Sequence, residues 1–151
     1  MSQTNELEIM ERIALDLERV EESLASSFNT GAEDFNALIR PLSAAGGKRL
    51  RAQLCLLIAN AGTSIERQRI KIAEAVEMLH LATLIHDDVL DQAEIRRGED
   101  TIHMHKGNKV AILSGDYLFA KAFKIVSEMT NMKYLQVFSH IITCLVEGEF
   151  M

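Results

Sequence analysis

Apolar residues recur every three or four positions along nearly the whole chain of 151 residues, and this spacing constrains the fold more than any other feature. In the first predicted helix, over positions 4–28, the apolar positions are 7, 10, 13, 17, 20 and 24. Pro41 is the one proline in the chain. The sequence therefore predicts an all-α protein, and its length suits a single domain.

Five further helices are predicted from the same spacing, at positions 33–40, 52–61, 65–91, 108–129 and 134–150. We expect Pro41 to end the second helix and Gly115–Asp116 to interrupt the fifth. The polar segment 92–105 predicts a loop. The last helix has no terminating signal before Met151, so we expect this chain to be the N-terminal part of a longer protein.

The composition argues against several classes of function. The formal net charge is −6 and no basic run extends beyond Lys48–Arg51, so we do not expect a nucleic-acid-binding protein. The N-terminus is acidic and no apolar run is long enough for a transmembrane segment, a pattern still compatible with peripheral membrane contact. Cys55 and Cys144 each lie alone in an apolar segment, which predicts buried thiols in a cytoplasmic protein.

The segment from His80 to Gly98 carries the strongest indication of a functional site. Asp87, Asp88 and Asp91 follow a nearly uninterrupted apolar run. On a helix, Asp87 and Asp91 lie on one face about 6 Å apart, where like charges repel. His80, seven positions before Asp87, lies on the same face of the predicted helix. A divalent cation would relieve the repulsion, and two carboxylates with space for waters and phosphate oxygens form the usual Mg²⁺ site.

Cationic residues on both sides of this helix predict phosphate binding. Arg96 and Arg97 follow shortly after Asp91, and guanidinium groups bind phosphate oxygens in pairs. Upstream, two glycines precede three cations at the start of a predicted helix, in the order Gly46, Gly47, Lys48, Arg49 and Arg51. Glycines allow the backbone to approach a ligand closely, and the helix N-terminus adds partial positive charge.

A second metal-site pattern is also present. His80, the pair His86–Asp87 and a later aspartate loosely match the metal ligands of the HD-type phosphohydrolases, which are all-α as well. Such a site needs His86 as a ligand, yet on a helix His86 lies about 100° from Asp87. His103 and His105, two residues apart, form a weaker candidate pair of metal ligands.

The basic segment Gly46–Arg51, His80 and the segment His86–Gly98 together resemble the trans-isoprenyl diphosphate synthases, the polyprenyl synthetase family. Positions 107–123 are similar to the family's Gly-Asp-Tyr-Leu helix, and Gly148–Glu149 to the start of its Gly-Glu-x-x-Gln segment. The resemblance covers most of positions 40–151. It implies an antiparallel helix bundle of the isoprenoid synthase type, truncated because the family's second aspartate-rich motif is missing here.

The resemblance also implies roles for the site residues. Asp87 and Asp91 would bind Mg²⁺ that bridges to an allylic diphosphate, with Asp88 in support, and Arg96 would contact that diphosphate. The residues implied to bind isopentenyl diphosphate are Lys48, Arg49, Arg51, His80 and Arg97. The implied reaction ionises the allylic diphosphate to a carbocation, which the double bond of isopentenyl diphosphate attacks before a proton is lost. Without the second motif, we expect this chain alone to be weakly active or inactive.

Product length is expected to depend on the helix before Asp87. The eighth, fifth and fourth residues upstream of Asp87 are Leu79, Ala82 and Thr83, and neither Ala82 nor Thr83 is the aromatic residue typical of short-chain synthases. The resemblance therefore implies a medium-length or long polyprenyl product, and Ala82→Tyr or Ala82→Phe should shorten it. It also implies a homodimer or heterodimer, which leaves open that this chain is a non-catalytic partner subunit.

Overall fold

The computed structural model describes residues 3–29, 33–44, 48–62 and 65–151. The helices are α1 (Gln3–Ser27), α2 (Glu33–Ala44), α3 (Leu50–Asn60), α4 (Glu66–Leu90), α5 (Ile102–Lys106), α6 (Asn108–Ser127) and α7 (Met132–Glu149). The predicted all-α fold is therefore confirmed, and the six predicted helices are present. No helix in the described part of the chain is long and apolar enough to span a membrane.

Three local predictions are wrong. Helix α2 continues through Pro41 to Ala44. The fixed φ of proline is compatible with a helix, and the lost hydrogen bond and the clash of its ring with the preceding turn can bend a helix without ending it. Helix α6 runs through Gly115–Asp116 without a break. Cys55 is only partly buried and Cys144 is exposed, because the helical spacing around them identifies an apolar segment but not which of its faces is covered.

The predicted loop over 92–105 contains a small hairpin and a short helix. The strands β1 (Ile95–Arg96) and β2 (Glu99–Asp100) pair antiparallel. They are joined by Arg97 and Gly98, whose φ angles are 54° and 87°, the positive values that a tight two-residue turn requires. Strands of two residues are too short to show an alternating pattern, so they could not be predicted from apolar spacing.

Helix α4 occupies the centre of the fold and packs against α1, α3 and α6. Its buried residues include Met78, Leu79, Ala82 and Ile85. The other helices contribute to the same core with Val20, Leu24 and Phe28 from α1, Leu56 from α3, Leu118 and Ala122 from α6, and Phe138 from α7. Because apolar contacts surround α4 on several sides, its orientation is fixed along its length.

Buried carboxylates attach α1 to the helices beside it. Asp16 is 1% exposed and accepts hydrogen bonds from Arg69 at 2.6 and 3.1 Å. Glu74, with no exposed surface, accepts hydrogen bonds from Ser23, Ser27 and Lys71 at 2.7 Å each. Buried charges are tolerated only when they are paired and hydrogen-bonded, as these are.

Candidate active site

A cleft of about 740 Å³ opens where α2, the start of α3, α4 and the hairpin meet. Its apolar wall is formed by Ala37, Leu38 and Pro41 of α2 with Leu81, Leu84 and Ile85 of α4. Its polar wall contains Lys48, Arg51, His80, Asp88, Arg96 and Arg97. The cleft thus combines a cationic region with an apolar one, which suits an anionic group attached to a hydrocarbon.

The cationic wall brings together six of the residues singled out from the sequence, although they lie up to about fifty positions apart. They are Lys48, Arg49, Arg51, His80, Arg96 and Arg97. Nη1 of Arg51 donates to Nε2 of His80 across 3.1 Å. Because a guanidinium can only donate, Nε2 of His80 is the acceptor and the imidazole is neutral. Burial lowers the pKa of His80, and the positive charges of Arg51, Arg97 and Arg96 lower it further, while Glu77 opposes them.

Arg49 lies in the same basic segment but makes different contacts. Its side chain is 8% exposed and donates to Glu21 of α1 at 2.5 and 3.1 Å. Nη1 lies 3.5 Å from a carboxylate oxygen of Glu77. Burial disfavours its charge, but the hydrogen bonds and charges of these two glutamates outweigh that effect and raise the pKa of Arg49. Gly46 and Gly47, the other part of the predicted anion site, lie outside the described residues.

Asp88 is the most buried of the three aspartates, at 5% exposure. Its Oδ1 accepts a hydrogen bond of 2.7 Å from Nε of Arg96. The side chain of Arg96 is 33% exposed, so water screens this ion pair in part. Asp88 still fixes Arg96 at the edge of the cleft.

Asp87 and Asp91 do not line this cleft. Asp87 is partly buried, and Asp91 is exposed at the C-terminal end of α4. Burial raises the pKa of Asp87, the negative charges of Glu149, Asp91 and Asp88 raise it further, and Arg96 counteracts them. Among the described residues, no three side chains of the types His, Cys, Asp and Glu are arranged to hold a metal ion.

His86 turns towards α6. Because a carbonyl oxygen can only accept, its Nε2 donates to the carbonyl of Ile112 at 3.1 Å. Nε2 also lies 3.5 Å from Asp116, and the ring stacks on Phe119 at 5.5 Å between centroids. A Cβ on Gly115 would lie 2.2 Å from Nε2, so the glycine provides the space for the ring. This contact fixes α4 against α6 next to Asp87.

Of the remaining predicted residues, only His105 lines the cleft. Leu79 is 6% exposed and Ala82 has no exposed surface. Thr83 is partly buried, and its hydroxyl donates to the carbonyl of His80 at 2.9 Å. Of the two loop histidines, His105 lines the cleft, whereas Nδ1 of His103 lies 3.0 Å from the hydroxyl of Thr101.

Several lining residues were not identified from the sequence. Glu77 lines the cleft from α4, one turn before His80, and Glu99 and Asp100 line it from β2. Glu77 lies three positions before His80, and Glu99 and Asp100 lie two and three positions after Arg97. This proximity does not identify them as lining residues, because a single glutamate on an amphipathic helix predicts a solvated face. The sequence contains no signal that Glu77 is buried.

The fold is a helix bundle in which a basic cleft adjoins an aspartate-rich helix. The polyprenyl synthetase family model matches residues 32–151. The chain therefore belongs to the polyprenyl synthetase family, and the resemblance inferred from the sequence motifs is confirmed.

Individual relatives give the same result. The chain is 32% identical over 143 residues to octaprenyl diphosphate synthase of Escherichia coli, covering 95% of this chain and 44% of that protein. It is 33% identical over 147 residues to solanesyl diphosphate synthase 1 of Arabidopsis thaliana, covering 93% of this chain and 36% of that protein. The chain thus spans less than half the length of these relatives.

A solved structure is similar as well. The crystal structure of polyprenyl synthase from Caulobacter crescentus, complexed with calcium and isoprenyl diphosphate, superposes with a TM-score of 0.88 at 35% identity. The match covers 94% of this chain and 43% of that one. The helix bundle is therefore of the isoprenoid synthase type, as the motifs implied.

Proposed function

We propose that this chain is the N-terminal part of a polyprenyl diphosphate synthase. The enzyme would condense isopentenyl diphosphate head to tail with an allylic diphosphate. The observation that supports this best is the convergence of Lys48, Arg51, His80, Arg96 and Arg97 on one cleft. A diphosphate carries several negative charges, and guanidinium and ammonium groups are its usual partners.

The two walls of the cleft account for both parts of isopentenyl diphosphate. In the proposal, Lys48, Arg51 and Arg97 bind the diphosphate oxygens. The neutral imidazole of His80 accepts from Arg51, and this hydrogen bond holds the guanidinium in position for the ligand. The hydrocarbon part would contact Leu81, Leu84 and Ile85, since apolar side chains line that side. Arg96, held by Asp88, would contact the allylic diphosphate.

Asp87 and Asp91 fit a divalent cation by the chemistry of their donors. Their carboxylate oxygens are hard ligands of the kind that Mg²⁺ prefers, and waters and phosphate oxygens commonly complete its coordination. Burial and neighbouring carboxylates raise the pKa of Asp87 against the opposing charge of Arg96, so a bound cation would relieve repulsion that Arg96 leaves uncompensated. When bound, Mg²⁺ would neutralise negative charge on the leaving diphosphate.

No protein nucleophile is required by this reaction. The chain's own contribution is to orient the two diphosphates, to supply positive charge through Arg96 where the leaving group develops, and to keep water away from the carbocation. The apolar wall of the cleft serves the last purpose, since a carbocation in contact with water would be captured as an alcohol.

The product is proposed to be a medium-length or long polyprenyl chain. The relatives in Escherichia coli and Arabidopsis thaliana are named for octaprenyl and solanesyl products, and no aromatic side chain occupies positions 82 and 83. Because Ala82 is completely buried, replacing it with tyrosine would also disturb the core. Thr83→Tyr is the better test: it should shorten the product, whereas an unchanged product distribution would contradict this role.

The cytoplasmic location, a homodimer or heterodimer, and peripheral contact with a membrane are also proposals. A non-catalytic partner subunit is the main alternative function. The phosphohydrolase alternative receives less support, because the ring of His86 donates to Ile112 and packs on Phe119. Because Nε2 carries the proton that it donates to the carbonyl of Ile112, it has no lone pair with which to bind a metal.

The proposed activity is tested with the protein expressed from its complete reading frame. Labelled isopentenyl diphosphate should be incorporated into prenyl products when an allylic diphosphate and Mg²⁺ are supplied. Arg51→Met should reduce incorporation at least tenfold, because it removes a cation from the cleft. Arg67→Met, which removes an exposed cation from the start of α4, is the matched control. Intact, folded protein without incorporation would favour the non-catalytic subunit.

A further inference from the structure

We propose that Glu77 is a positioning residue for the diphosphate cleft. It holds the segment Lys48–Arg51 against α4, so that Lys48 and Arg51 face the ligand together with His80. This inference rests on the proposed function, since it concerns how the same cleft is organised. It assigns a task to a buried glutamate that makes no direct contribution to the proposed chemistry.

Glu77 connects α4 to the start of α3 through both of its carboxylate oxygens. The side chain is almost completely buried, and Oε1 accepts a hydrogen bond of 3.0 Å from the backbone N–H of Ala52. The first amides of a helix have no acceptor within the helix. Glu77 therefore caps α3 from a neighbouring helix. Its other oxygen, Oε2, lies 3.5 Å from Nη1 of Arg49.

The backbone at Arg49 depends on this contact. Its φ and ψ angles are 46° and 37°, in the left-handed region, which residues with a side chain rarely occupy unless the surroundings enforce it. Glu21 from α1 and Glu77 from α4 pair with the guanidinium. The two glutamates thus hold Arg49, which joins Lys48 to α3. The conformation of Arg49 determines the directions in which Lys48 and Arg51 point.

The same turn of α4 also carries the partner of Arg51. Glu77 and His80 are three residues apart on α4, and both line the cleft. Arg51 donates to His80 at 3.1 Å, while Glu77 accepts from the amide of the residue after Arg51. Two contacts from one helical turn therefore fix both the backbone and the side chain of Arg51.

The test compares two buried glutamates of α4 by their effect on binding of inorganic pyrophosphate to the protein expressed from its complete reading frame. Glu77→Gln keeps an oxygen that can accept from Ala52 but removes the charge that pairs with Arg49. Glu74→Gln is the matched control, because Glu74 is equally buried but contacts Ser23, Ser27 and Lys71. Affinity is measured by titration calorimetry, and folding by circular dichroism during thermal unfolding.

We expect both variants to lower the melting temperature, but only Glu77→Gln to weaken pyrophosphate binding, by about tenfold. In an Arg51→Met background, Glu77→Gln should have a smaller effect, because the two residues act on the same contact. If Glu77→Gln does not fold, Glu21→Gln removes the less buried partner of Arg49 and should weaken binding about threefold.

Two negative outcomes are distinguishable. If the wild-type chain binds pyrophosphate and the folded Glu77→Gln variant binds it equally well, Glu77 is only structural and the inference is wrong. The same conclusion follows if Glu77→Gln is unfolded and Glu21→Gln binds like the wild type. If the wild-type chain does not bind pyrophosphate at all, the proposed function of the cleft fails, and this inference fails with it.

Discussion

Asp87 illustrates how a single residue of the candidate site lowers the stability of the fold. It is partly buried, and the carboxylates of Glu149 and Asp91 lie close enough to raise its pKa further. A like-charge pair at this helical spacing alone costs about 0.2–0.5 kcal/mol. Nothing in the hydrophobic packing of α4 requires an aspartate here. The cost is consistent with a position chosen for ligand binding, where stability and function commonly conflict.

The effect of Asp87 on stability should therefore depend on pH. A carboxyl group whose pKa is raised in the folded state contributes stability below its unfolded pKa and loses that contribution as the pH rises through the folded value. We expect Asp87→Asn to raise the melting temperature at about pH 7 and to leave it unchanged at about pH 3. Thermal unfolding followed by circular dichroism measures this.

The control is Glu94→Gln, which removes an exposed carboxylate from the segment after α4. It should change the melting temperature little at either pH. A lower melting temperature for Asp87→Asn at neutral pH would contradict the electrostatic interpretation of Asp87.

His80 provides a second prediction for a single residue. After burial, the charge of Arg51 is the main cause of its lowered pKa. Arg51→Met should therefore raise the pKa of His80, as measured by NMR titration of the imidazole. Lys109→Met, which removes an exposed cation from α6, should not. The lowered pKa of His80 also makes stability depend on pH. As the pH falls below the ordinary pKa of histidine, the folded protein loses stability relative to the unfolded chain, because His80 resists protonation only in the folded state. Arg51→Met should reduce this loss.

At the scale of helices and strands, the long helices could be predicted from the sequence, because their apolar residues recur at regular spacing. Features that depend on contacts with neighbouring elements could not. The boundaries of α1, α4 and α7 agree with the apolar spacing within about two residues, because that spacing reports burial directly. The hairpin was missed because a turn through Arg97 and Gly98 lacks the usual asparagine or aspartate. The continuation of α2 through Pro41 was missed because the cost of a proline depends on its surroundings.

The same distinction applies to the candidate site. The types of the binding residues, and the grouping of Lys48 and Arg51, were predictable from spacing. The sequence did not predict that Asp88 would line the cleft and that Asp87 and Asp91 would not. Helical spacing gives angles around one helix, whereas the position of neighbouring elements decides which part of its surface faces a cavity. The burial of Glu77 and Arg49 depends on contacts with α1 and α3 in the same way.

The contact between α4 and α6 can be tested through Gly115. In Gly115→Ala the new Cβ would overlap the ring of His86, so the ring must leave Ile112 and Phe119. We expect a loss of about 1–3 kcal/mol in the free energy of unfolding, measured with urea. In a His86→Ala background the overlap is absent, and Gly115→Ala should then stabilise the helix by up to about 1 kcal/mol. Destabilisation of equal size in both backgrounds would exclude His86 as the cause.

At the scale of the whole molecule, the largest groups of exposed apolar side chains among the described residues lie on α3 and α7. On α3 they include Leu54, Leu57 and Ile58, and on α7 Val137, Ile141 and Leu145 are 42–59% exposed. The three residues of α7 are four positions apart and so form one stripe. A stripe of this kind on a helix is typical of a surface that another helix covers.

We therefore expect the chain to self-associate with increasing concentration, which analytical ultracentrifugation measures. Ile141→Lys should weaken association, because it places a charge in the middle of the stripe on α7. Ser139→Lys adds the same charge at an exposed position on another side of α7 and should have little effect. Equal sedimentation of both variants and the wild type would show that the stripe is not an association surface.

The separation of the basic cleft from Asp87 and Asp91 predicts how the binding of an anionic compound depends on metal. The basic residues that line the cleft come from the start of α3 and from the hairpin, whereas Asp87 and Asp91 lie at the end of α4 and do not line it. An anionic compound that fills the cleft need not chelate a metal. Its affinity for the protein, measured by titration calorimetry, should therefore be the same in buffers with EDTA and with magnesium, whereas a compound that binds the aspartates through a metal would lose affinity when the metal is removed.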